Sequence, residues 1–236
     1  MPLAIPVTPA IPVTPAAATP TRIHDLLEID AERFLRAQSS APGWVAASLR
    51  ETPFVVVRRG PISTRQGIAV GVRGAQRNER WAGVCHPHLV RRILTPPILL
   101  SRFVTASSSA PVSHPTRTDT IPAVHALALL ADRWNGLNSP WGPGGSVGFE
   151  LATGHPVATA QSDLDIVIYA ETRMTPYEAR ALWESAQELP TAVDIRVETP
   201  ACGFSLTEYA NRAPAPILLR FASGTALDTD PWAAAT

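Results

Sequence analysis

Hydrophobic residues in the second half of the chain recur with two periods, one helical and one strand-like. Residues 123–137 and 175–189 carry them at intervals of three and four, which predicts two amphipathic helices. Residues 191–199 alternate apolar and polar side chains, as a strand with one buried face does. Residues 205–212 and 215–222 add a short helix and a last extended piece. This order predicts a small mixed sheet with helices packed against it.

Residues 144–167, GGSVGFELATGHPVATAQSDLDIV, contain two apolar runs joined by a loop, and we predict a strand for each run. The second run begins with two acidic residues, Asp163 and Asp165. Side chains two apart in a strand lie on one face, so these carboxylates point the same way and repel each other. Burying such a pair is costly unless a cation lies between them. Oxygen ligands of this kind are typical of Mg²⁺ sites.

A third acidic residue, Asp194, lies among apolar residues in the strand predicted over 191–199. If this strand pairs next to the one that begins at Asp163, the three carboxylates meet at one end of the sheet. Such a cluster is typical of two-metal phosphoryl-transfer sites. The alternative is that Asp163 and Asp165 only end the strand with solvated charge.

The glycine-rich turn before the first apolar run supplies a second part of such a site. Gly144 and Gly145 allow backbone amides to approach a phosphate group closely. Ser146 adds a hydroxyl donor next to them. The combination of Gly-Ser, Asp-x-Asp and a later lone Asp is more specific than any acid pair by itself.

The first half of the chain contains shorter segments of regular structure. Residues 31–38 predict a short helix, and residues 53–59 and 68–74 predict strands. The segment 78–94 is amphipathic and is interrupted by Pro87. The whole chain is therefore expected to be α+β, with two domains.

Charge is divided unevenly between the two halves, although the 236 residues have no net charge. Residues 1–120 contain 14 arginines and 7 acidic residues, whereas residues 121–236 contain 6 arginines and 13 acidic residues. The basic half is suited to phosphate groups and the acidic half to a cation. The alternative is that the two halves only neutralise each other where they meet.

Three arginines in the segment GVRGAQRNER are the candidates for phosphate binding in the basic half: Arg73, Arg77 and Arg80. A guanidinium group matches phosphate oxygens with two parallel donors. Spacings of four and three would align the three side chains if the segment were helical. A solvated surface with an ion pair to Glu79 is the alternative.

Composition divides the chain into four parts. Residues 1–20 repeat the hexapeptide IPVTPA and predict a disordered, Pro-rich tail. Residues 21–103 predict a basic N-terminal α+β domain that binds substrate or carrier. Residues 104–120, rich in Ser, Thr and Pro, predict a linker. Residues 121–236 predict the domain that holds the three acidic residues.

Several classes of protein are disfavoured by the same composition. The chain has no apolar run long enough to span a membrane, so we expect no membrane partner. Its two cysteines, Cys85 and Cys202, are far apart, which disfavours a disulfide framework and favours a reducing cytoplasm. Basic and aromatic residues do not interleave, so we expect no nucleic-acid partner.

The arrangement of Gly-Ser, Asp-x-Asp and a later Asp resembles the nucleotidyltransferase superfamily that includes polymerase β. The strings WGPGGSVGFELATG…SDLDIVI, VDIRVETPACGFSLTEYA and ILLR…G…DPW are similar to a narrower family, the malonate decarboxylase holo-[acyl-carrier-protein] synthases. GVRGAQRNERWA and LTPPIL extend the resemblance into the first half, so that it covers roughly residues 22–233. The resemblance implies that residues 121–236 form a polymerase-β-like mixed sheet with packed helices.

These synthases are phosphoribosyl-dephospho-CoA transferases. The resemblance implies that the chain joins the phosphoribosyl-dephospho-CoA part of 2′-(5″-triphosphoribosyl)-3′-dephospho-CoA to a serine of the acyl carrier subunit, releasing pyrophosphate. On this interpretation Asp163 and Asp165 bind two Mg²⁺ or Mn²⁺ ions. Asp194 binds the ion that activates the serine hydroxyl, and Gly145 and Ser146 hold the triphosphate. Two alternatives stay open: a nucleotidyltransferase with another small-molecule or protein acceptor, and a catalytically inactive nucleotide-binding module.

Overall fold

Two β-sheets, one in each half of the chain, form the framework of the computed structural model. The structure describes residues 20–38, 40–60, 67–74, 76, 78–109, 117–212 and 214–233. The predicted Pro-rich tail lies outside the described residues except for Pro20.

The N-terminal sheet has five antiparallel strands in the order β4-β3-β2-β1-β5. Their bounds are β1 Leu26–Ile29, β2 Phe54–Val57, β3 Ile68–Arg73, β4 Arg80–Cys85 and β5 Val90–Leu94. Helices α1 (Ala31–Arg36) and α2 (Gly43–Glu51) cover one face of the sheet. The core between the sheet and these helices consists of buried apolar residues, among them Leu27, Phe34, Leu49, Val55 and Val70.

The C-terminal sheet has six strands in the order β11-β10-β9-β8-β7-β6. Their bounds are β6 Trp141–Pro143, β7 Leu164–Tyr169, β8 Val193–Glu198, β9 Gly203–Ser205, β10 Ile217–Phe221 and β11 Gly224–Asp228. Strands β7 and β8 are parallel and all other neighbours are antiparallel, so the sheet is mixed. The prediction of an α+β chain with a mixed sheet and packed helices is confirmed.

Six helices accompany the C-terminal sheet: α3 Pro96–Ser109, α4 Arg117–Thr120, α5 Pro122–Arg133, α6 Gly145–Thr153, α7 Pro176–Ser185 and α8 Leu206–Arg212. Buried residues of α5, α7 and α8 share one core with β7 and β8. Helix α7 begins with a capping box, in which the side chains of Thr175 and Glu178 each accept a hydrogen bond from the other's backbone amide. No helix within the described residues is long and apolar enough to cross a membrane.

Strands β7 and β8 bury one face and present the other to the N-terminal domain. The residues that point into the core are Ile166, Ile168, Ile195 and Val197. Intervening residues of a strand point to the opposite face, which we call the polar face. Its three cross-strand pairs are Asp165 with Asp194, Val167 with Arg196, and Tyr169 with Glu198.

The N-terminal sheet packs against helices of the C-terminal half with the face that α1 and α2 leave uncovered. A small apolar cluster joins Leu26 and Phe54 of this sheet to Leu99 of α3 and Ala152 of α6. The ring of Phe54 also meets that of Phe149 edge to face, with 6.5 Å between the ring centroids. Helix α6 therefore contacts both domains, and its N-terminus lies beside β7.

The first apolar run of residues 144–167 forms helix α6, so the prediction of a strand there was wrong. A short apolar run does not by itself distinguish a buried helix from a buried strand. Here Gly148 and Ala152 lie one helical turn apart and are both buried. Gly154, with φ 73°, ends the helix in the left-handed conformation that glycine adopts readily.

The segment predicted as a linker, residues 104–120, is helical over most of its described length. Helix α3 continues to Ser109 and the short helix α4 begins at Arg117. Phe103, just before the segment, is buried in the C-terminal core, which explains why the chain stays helical there. Residues 110–116 lie outside the described residues, and a linker there stays a prediction.

Candidate active site

Asp165 and Asp194 are direct neighbours on the polar face of the C-terminal sheet. Strands β7 and β8 run parallel, and their register pairs these two residues. Adjacent strands lie about 4.8 Å apart, so the two side chains leave the sheet side by side. Asp163 precedes β7 by one residue and is exposed. The predicted cluster required that the strands carrying Asp165 and Asp194 be neighbours, and the structure shows that they are.

The carboxyl group of Asp165 lies in a strongly anionic environment. Burial raises its pKa most, and the negative charges of Asp163 and Asp194 raise it further. The positive charges of Arg73 and Arg196 act in the opposite direction but do not compensate. A site of this kind is prepared to receive a positive charge.

The glycine-rich turn meets this carboxylate at the start of α6. The Gly144 amide donates a hydrogen bond to the Asp165 carbonyl oxygen at 2.8 Å. Gly145 adopts φ 53°, and a Cβ there would overlap the Asp165 carboxylate. Ser146 follows as the second residue of α6 and is half-buried. The first amides of a helix have no partner within it, so this N-terminus faces the acidic residues with unpaired donors.

Arg196 contacts one of the three acidic residues, and it was not among the residues predicted from the sequence. It lies two residues after Asp194 on the same face of β8, and its Nη2 donates to Asp194 Oδ2 at 2.7 Å. Both side chains are about one-third exposed, 33% for Arg196 and 37% for Asp194. The i, i+2 spacing from an acidic strand residue was the signal that could have revealed it.

Arg73 and Arg80 face each other across the β3–β4 hairpin, where their Cα atoms are register partners. The helical alignment considered for these arginines was therefore wrong, because Arg73 and Arg80 lie on two paired strands. Arg77 lies outside the described residues. The Arg73 carbonyl oxygen accepts a hydrogen bond from Ser48 Oγ at 2.8 Å, which fixes this end of β3 against α2.

The face of the N-terminal sheet that carries Arg73 is the face that packs toward the C-terminal half of the chain. Val70 and Val72 point into the core with α1 and α2, so Gly71 and Arg73 point the other way. Gly71 is paired with Val56, which packs in the apolar cluster with Phe149 and Leu151. Arg73 is close enough to the acidic residues for its positive charge to act on the pKa of Asp165.

The donor set of the acidic residues fits a hard divalent cation. Asp163, Asp165 and Asp194 offer carboxylate oxygens only, which Mg²⁺ and Mn²⁺ prefer. Within the described residues, no three His, Cys, Asp or Glu side chains are close enough together to form a metal site as they stand. The carboxylate of Asp194 instead accepts a hydrogen bond from the guanidinium group of Arg196.

The histidine pair next to Cys85 and the tryptophan before the glycine-rich turn lie outside the acidic site. The rings of His86 and His88 stack on each other with 5.6 Å between centroids, and burial raises the pKa of the neighbouring Cys85 thiol to about 12. Trp141 is buried and packs edge to face on Trp134, with ring centroids 4.9 Å apart. Neither feature takes part in the polar face.

Comparison with known proteins gives matches along both halves of the chain. Family models described as the N-terminal and the C-terminal domain of the phosphoribosyl-dephospho-CoA transferase MdcG match residues 22–96 and 111–231. A phosphoribosyl-dephospho-CoA transferase of Klebsiella pneumoniae subsp. pneumoniae is 38% identical over 221 residues, which cover 92% of this chain and 98% of that protein.

Similar relatives occur in other bacteria under the same description. The protein of Pseudomonas aeruginosa is 34% identical over 209 residues, covering 89% of this chain and 92% of the relative. That of Azotobacter vinelandii is 36% identical over 202 residues, covering 84% and 88%. No solved structure matches. The chain therefore belongs to the phosphoribosyl-dephospho-CoA transferases, the family of transferase enzymes that its sequence motifs resemble.

Proposed function

We propose that the chain transfers the phosphoribosyl-dephospho-CoA group of 2′-(5″-triphosphoribosyl)-3′-dephospho-CoA to a serine of the acyl carrier subunit of malonate decarboxylase. The observation that supports this most is the pairing of Asp165 with Asp194 beside the N-terminus of α6. Carboxylates next to unpaired amides suit a reaction in which phosphate groups and a hydroxyl meet. The free thiols of both cysteines agree with a reaction in the cytoplasm.

The transfer is a substitution at the α-phosphorus of the triphosphate. The serine Oγ forms a bond to the α-phosphorus. The bond between this phosphorus and the oxygen that bridges the α- and β-phosphates breaks. The product is a phosphodiester, and pyrophosphate leaves with the electron pair of the broken bond. We assign the serine proton to the carboxylate of Asp194, which is partly exposed on the polar face.

Asp163, Asp165 and Asp194 would hold Mg²⁺ or Mn²⁺. Bound there, such ions neutralise the charge that develops on the phosphate oxygens and the leaving group. Burial raises the pKa of Asp165 most, and the negative charges of Asp163 and Asp194 raise it further; these two neighbouring charges support the assignment. Asp194 is then shared between a cation and Arg196, whose guanidinium already donates to it.

The triphosphate is assigned to the boundary between the two domains, beside the start of α6. Gly144, Gly145 and Ser146 offer backbone amides and a hydroxyl group there. Arg73 and Arg80 are assigned to supply guanidinium groups from the β3–β4 hairpin of the N-terminal domain. Residues on both domains thus contribute to binding, which explains why the basic half and the acidic half occur in one chain.

A single assay tests the proposal. Purified protein, the triphosphoribosyl substrate, Mg²⁺ and the apo acyl carrier subunit are mixed, and the intact mass of the carrier is followed with pyrophosphate release. We expect the carrier to gain one phosphoribosyl-dephospho-CoA, and we expect EDTA or Asp163→Asn to abolish the gain. Pyrophosphate release from ATP with another acceptor would support a general nucleotidyltransferase instead. Absence of turnover with every triphosphate would contradict both.

A further inference from the structure

The two domains are joined on the polar face by a buried ionic contact far from the acidic residues. Glu198, at the end of β8, accepts hydrogen bonds from two residues of the N-terminal domain. One of its oxygens is 3.0 Å from His24 Nε2, and the other is bound by Arg59 Nη2. We call these three residues the Glu198 network. The side chains of Glu198 and Arg59 are only 10% and 19% exposed, so solvent screens this contact little.

Backbone conformation at the network is held under strain. His24 has φ 76°, the only positive φ of a non-glycine residue among the described parts of the chain. Its amide donates to the Val57 carbonyl oxygen at 2.9 Å, and the Val57 amide donates to the Asp25 carbonyl oxygen at 2.8 Å. Strained conformations persist where the surroundings over-determine them. Strand β1, which begins just after His24, and strand β2, which ends at Val57, are therefore both held near Glu198.

A second polar link and a glycine complete the contact. Tyr169, the neighbour of Glu198 on β7, donates from its hydroxyl group to the Ile23 carbonyl oxygen at 2.8 Å. Gly203, the neighbour on β9, has no room for a side chain, because a Cβ there would overlap Arg59 Nη2 and lie 2.7 Å from Glu198 Oε1. The guanidinium of Arg59 therefore reaches Glu198 by passing over a glycine.

The network and the acidic residues lie at opposite ends of the same face. Glu198 follows Asp194 by four residues on β8, a distance of about 13 Å at the rise of an extended strand. On the N-terminal side, the Arg58 amide donates to the Ala69 carbonyl oxygen, and β3 then runs from there to Arg73. Glu198 therefore joins the domains at one end of this face, and at the other end Arg73 is close enough to Asp165 for its charge to lower the pKa of that carboxyl.

We propose that Glu198 is a positioning residue for phosphate binding: by holding His24 and Arg59 it fixes the N-terminal sheet so that Arg73 stays opposite Asp165. This inference rests on the proposed function of the acidic site. Burial by itself raises the pKa of Glu198, yet its hydrogen bonds and the charges of His24 and Arg59 outweigh burial and hold the pKa below its usual value. The carboxylate is therefore charged in the working enzyme and attracts both partners.

Two variants remove the contact in different ways. Glu198→Gln keeps the shape of the side chain and removes its charge. Gly203→Ala leaves every charge in place and pushes Arg59 away from the carboxylate. The matched control is Glu171→Gln, which breaks the Arg22–Glu171 ion pair of 3.2 Å between the same two domains, where both side chains are about half exposed.

Three measurements on the full chain test the inference. Hydrogen exchange at residues 22–25 and 57 reports whether the backbone of the N-terminal domain loosens where it is held on Glu198. Calorimetry with Mg²⁺ and inorganic triphosphate reports binding at the acidic end, and kcat/KM with the full substrate reports transfer. For both network variants we expect faster exchange and a loss of about tenfold or more in triphosphate affinity and kcat/KM. The control should change each quantity by less than about twofold.

Combination with Arg73→Gln separates a positioning role from a merely structural one. If Glu198 acts through Arg73, Glu198→Gln costs less than about twofold in triphosphate affinity when Arg73 is already replaced. Undiminished loss in the double variant would overturn the inference, and so would faster exchange with unchanged affinity and kcat/KM. Failure of the wild-type protein to transfer the group would refute the proposed function alone, since exchange and triphosphate binding still test Glu198.

Discussion

The carboxylate of Asp165 occupies the space that a side chain on Gly145 would need. A Cβ built on Gly145 overlaps Asp165 Oδ2, and the glycine also has φ 53°. The Gly-Gly-Ser turn and the Asp-x-Asp pair, separated in the sequence, are therefore two sides of one contact. Its consequence is that the start of α6 can be placed against the acidic residues only while position 145 has no side chain.

Gly145→Ala is expected to abolish transfer. The added methyl group must displace the Asp165 carboxylate or the start of α6, and either change disturbs the site by more than the roughly 1 Å that costs about 100-fold in rate. We expect kcat/KM to fall at least about 100-fold. The measurement is steady-state transfer to the carrier subunit, with circular dichroism to show that the variant is folded.

Gly154→Ala is the matched control for this substitution. Gly154 also has positive φ, 73°, but open space surrounds the position of its missing Cβ. The substitution should therefore lower the free energy of unfolding by about 1 kcal/mol through backbone strain and leave kcat/KM unchanged. An equal loss of activity in both variants would show that backbone conformation, and not the contact with Asp165, is what the site requires.

Replacing Asp165 by asparagine is expected to separate activity from stability. The carboxylate is partly buried next to Asp163 and Asp194, and burial and these charges raise its pKa, so the folded protein tolerates its charge poorly. Asp165→Asn should reduce kcat at least about 100-fold, while the thermal unfolding temperature stays the same or rises. Asp132→Asn, on the exposed end of α5, should change neither quantity. A large drop in unfolding temperature for Asp165→Asn would mean that the carboxylate is a structural residue.

Arg196→Gln tests whether the guanidinium on Asp194 contributes to the site. The substitution removes a charged donor at 2.7 Å from the carboxylate of Asp194, which is about one-third exposed, and with it a positive charge next to Asp165. We expect kcat/KM to decrease about tenfold, with little effect on folding because the pair is partly solvated. Arg180→Gln, which breaks an exposed pair with Glu184 within α7, is the control. Equal kinetics of the two variants would exclude Arg196 from the site.

Local sequence signals were sufficient for the parts of the site that lie close together in the chain. The alternation of residues 191–199 and the apolar run after the acid pair placed Asp165 and Asp194 on strands with their side chains on one face, because side-chain direction in a strand follows from parity alone. Asp163 was expected on the same strand, but β7 begins one residue later, at Leu164. The capping box at Thr175 likewise depends on four consecutive residues. Such features need no knowledge of distant contacts.

Features that depend on tertiary packing could not be predicted from local sequence signals. Helix α6 is specified by its burial between the two domains and not by a helical pattern of polar residues, so its apolar run was interpreted as a strand. The Glu198 network joins residues that are up to 174 positions apart, and nothing near His24, Arg59 or Glu198 in the sequence indicates that they meet. Arg73 and Arg80 were identified as candidates, but their hairpin geometry depends on strand pairing.

Asp25, next to the Glu198 network, is expected to make the stability of the protein depend on pH. The residue is 1% exposed, and its Oδ1 atom has no hydrogen-bond partner among the described residues. Burial raises the pKa of its carboxyl from 3.8 to about 6, against the opposing effects of the Arg22 amide, the Arg22 charge and His24. The neighbouring hydroxyl of Tyr169 is neutral, since burial and then the charge of Asp25 raise its pKa.

Folding therefore favours the protonated form of Asp25, so the protein should be more stable at low pH than at high pH as far as this residue is concerned. The folded state binds this proton more tightly than the unfolded state, so the stabilisation is complete below pH 3.8 and is lost as the pH rises through about 6. Asp25→Asn imitates the protonated form at every pH. It should increase the free energy of unfolding by up to about 3 kcal/mol at pH 8, since each pKa unit corresponds to 1.36 kcal/mol, and by almost nothing near pH 4. Urea denaturation of both proteins between these pH values measures the difference, and an increase that does not vary with pH would show that Asp25 is charged throughout the range.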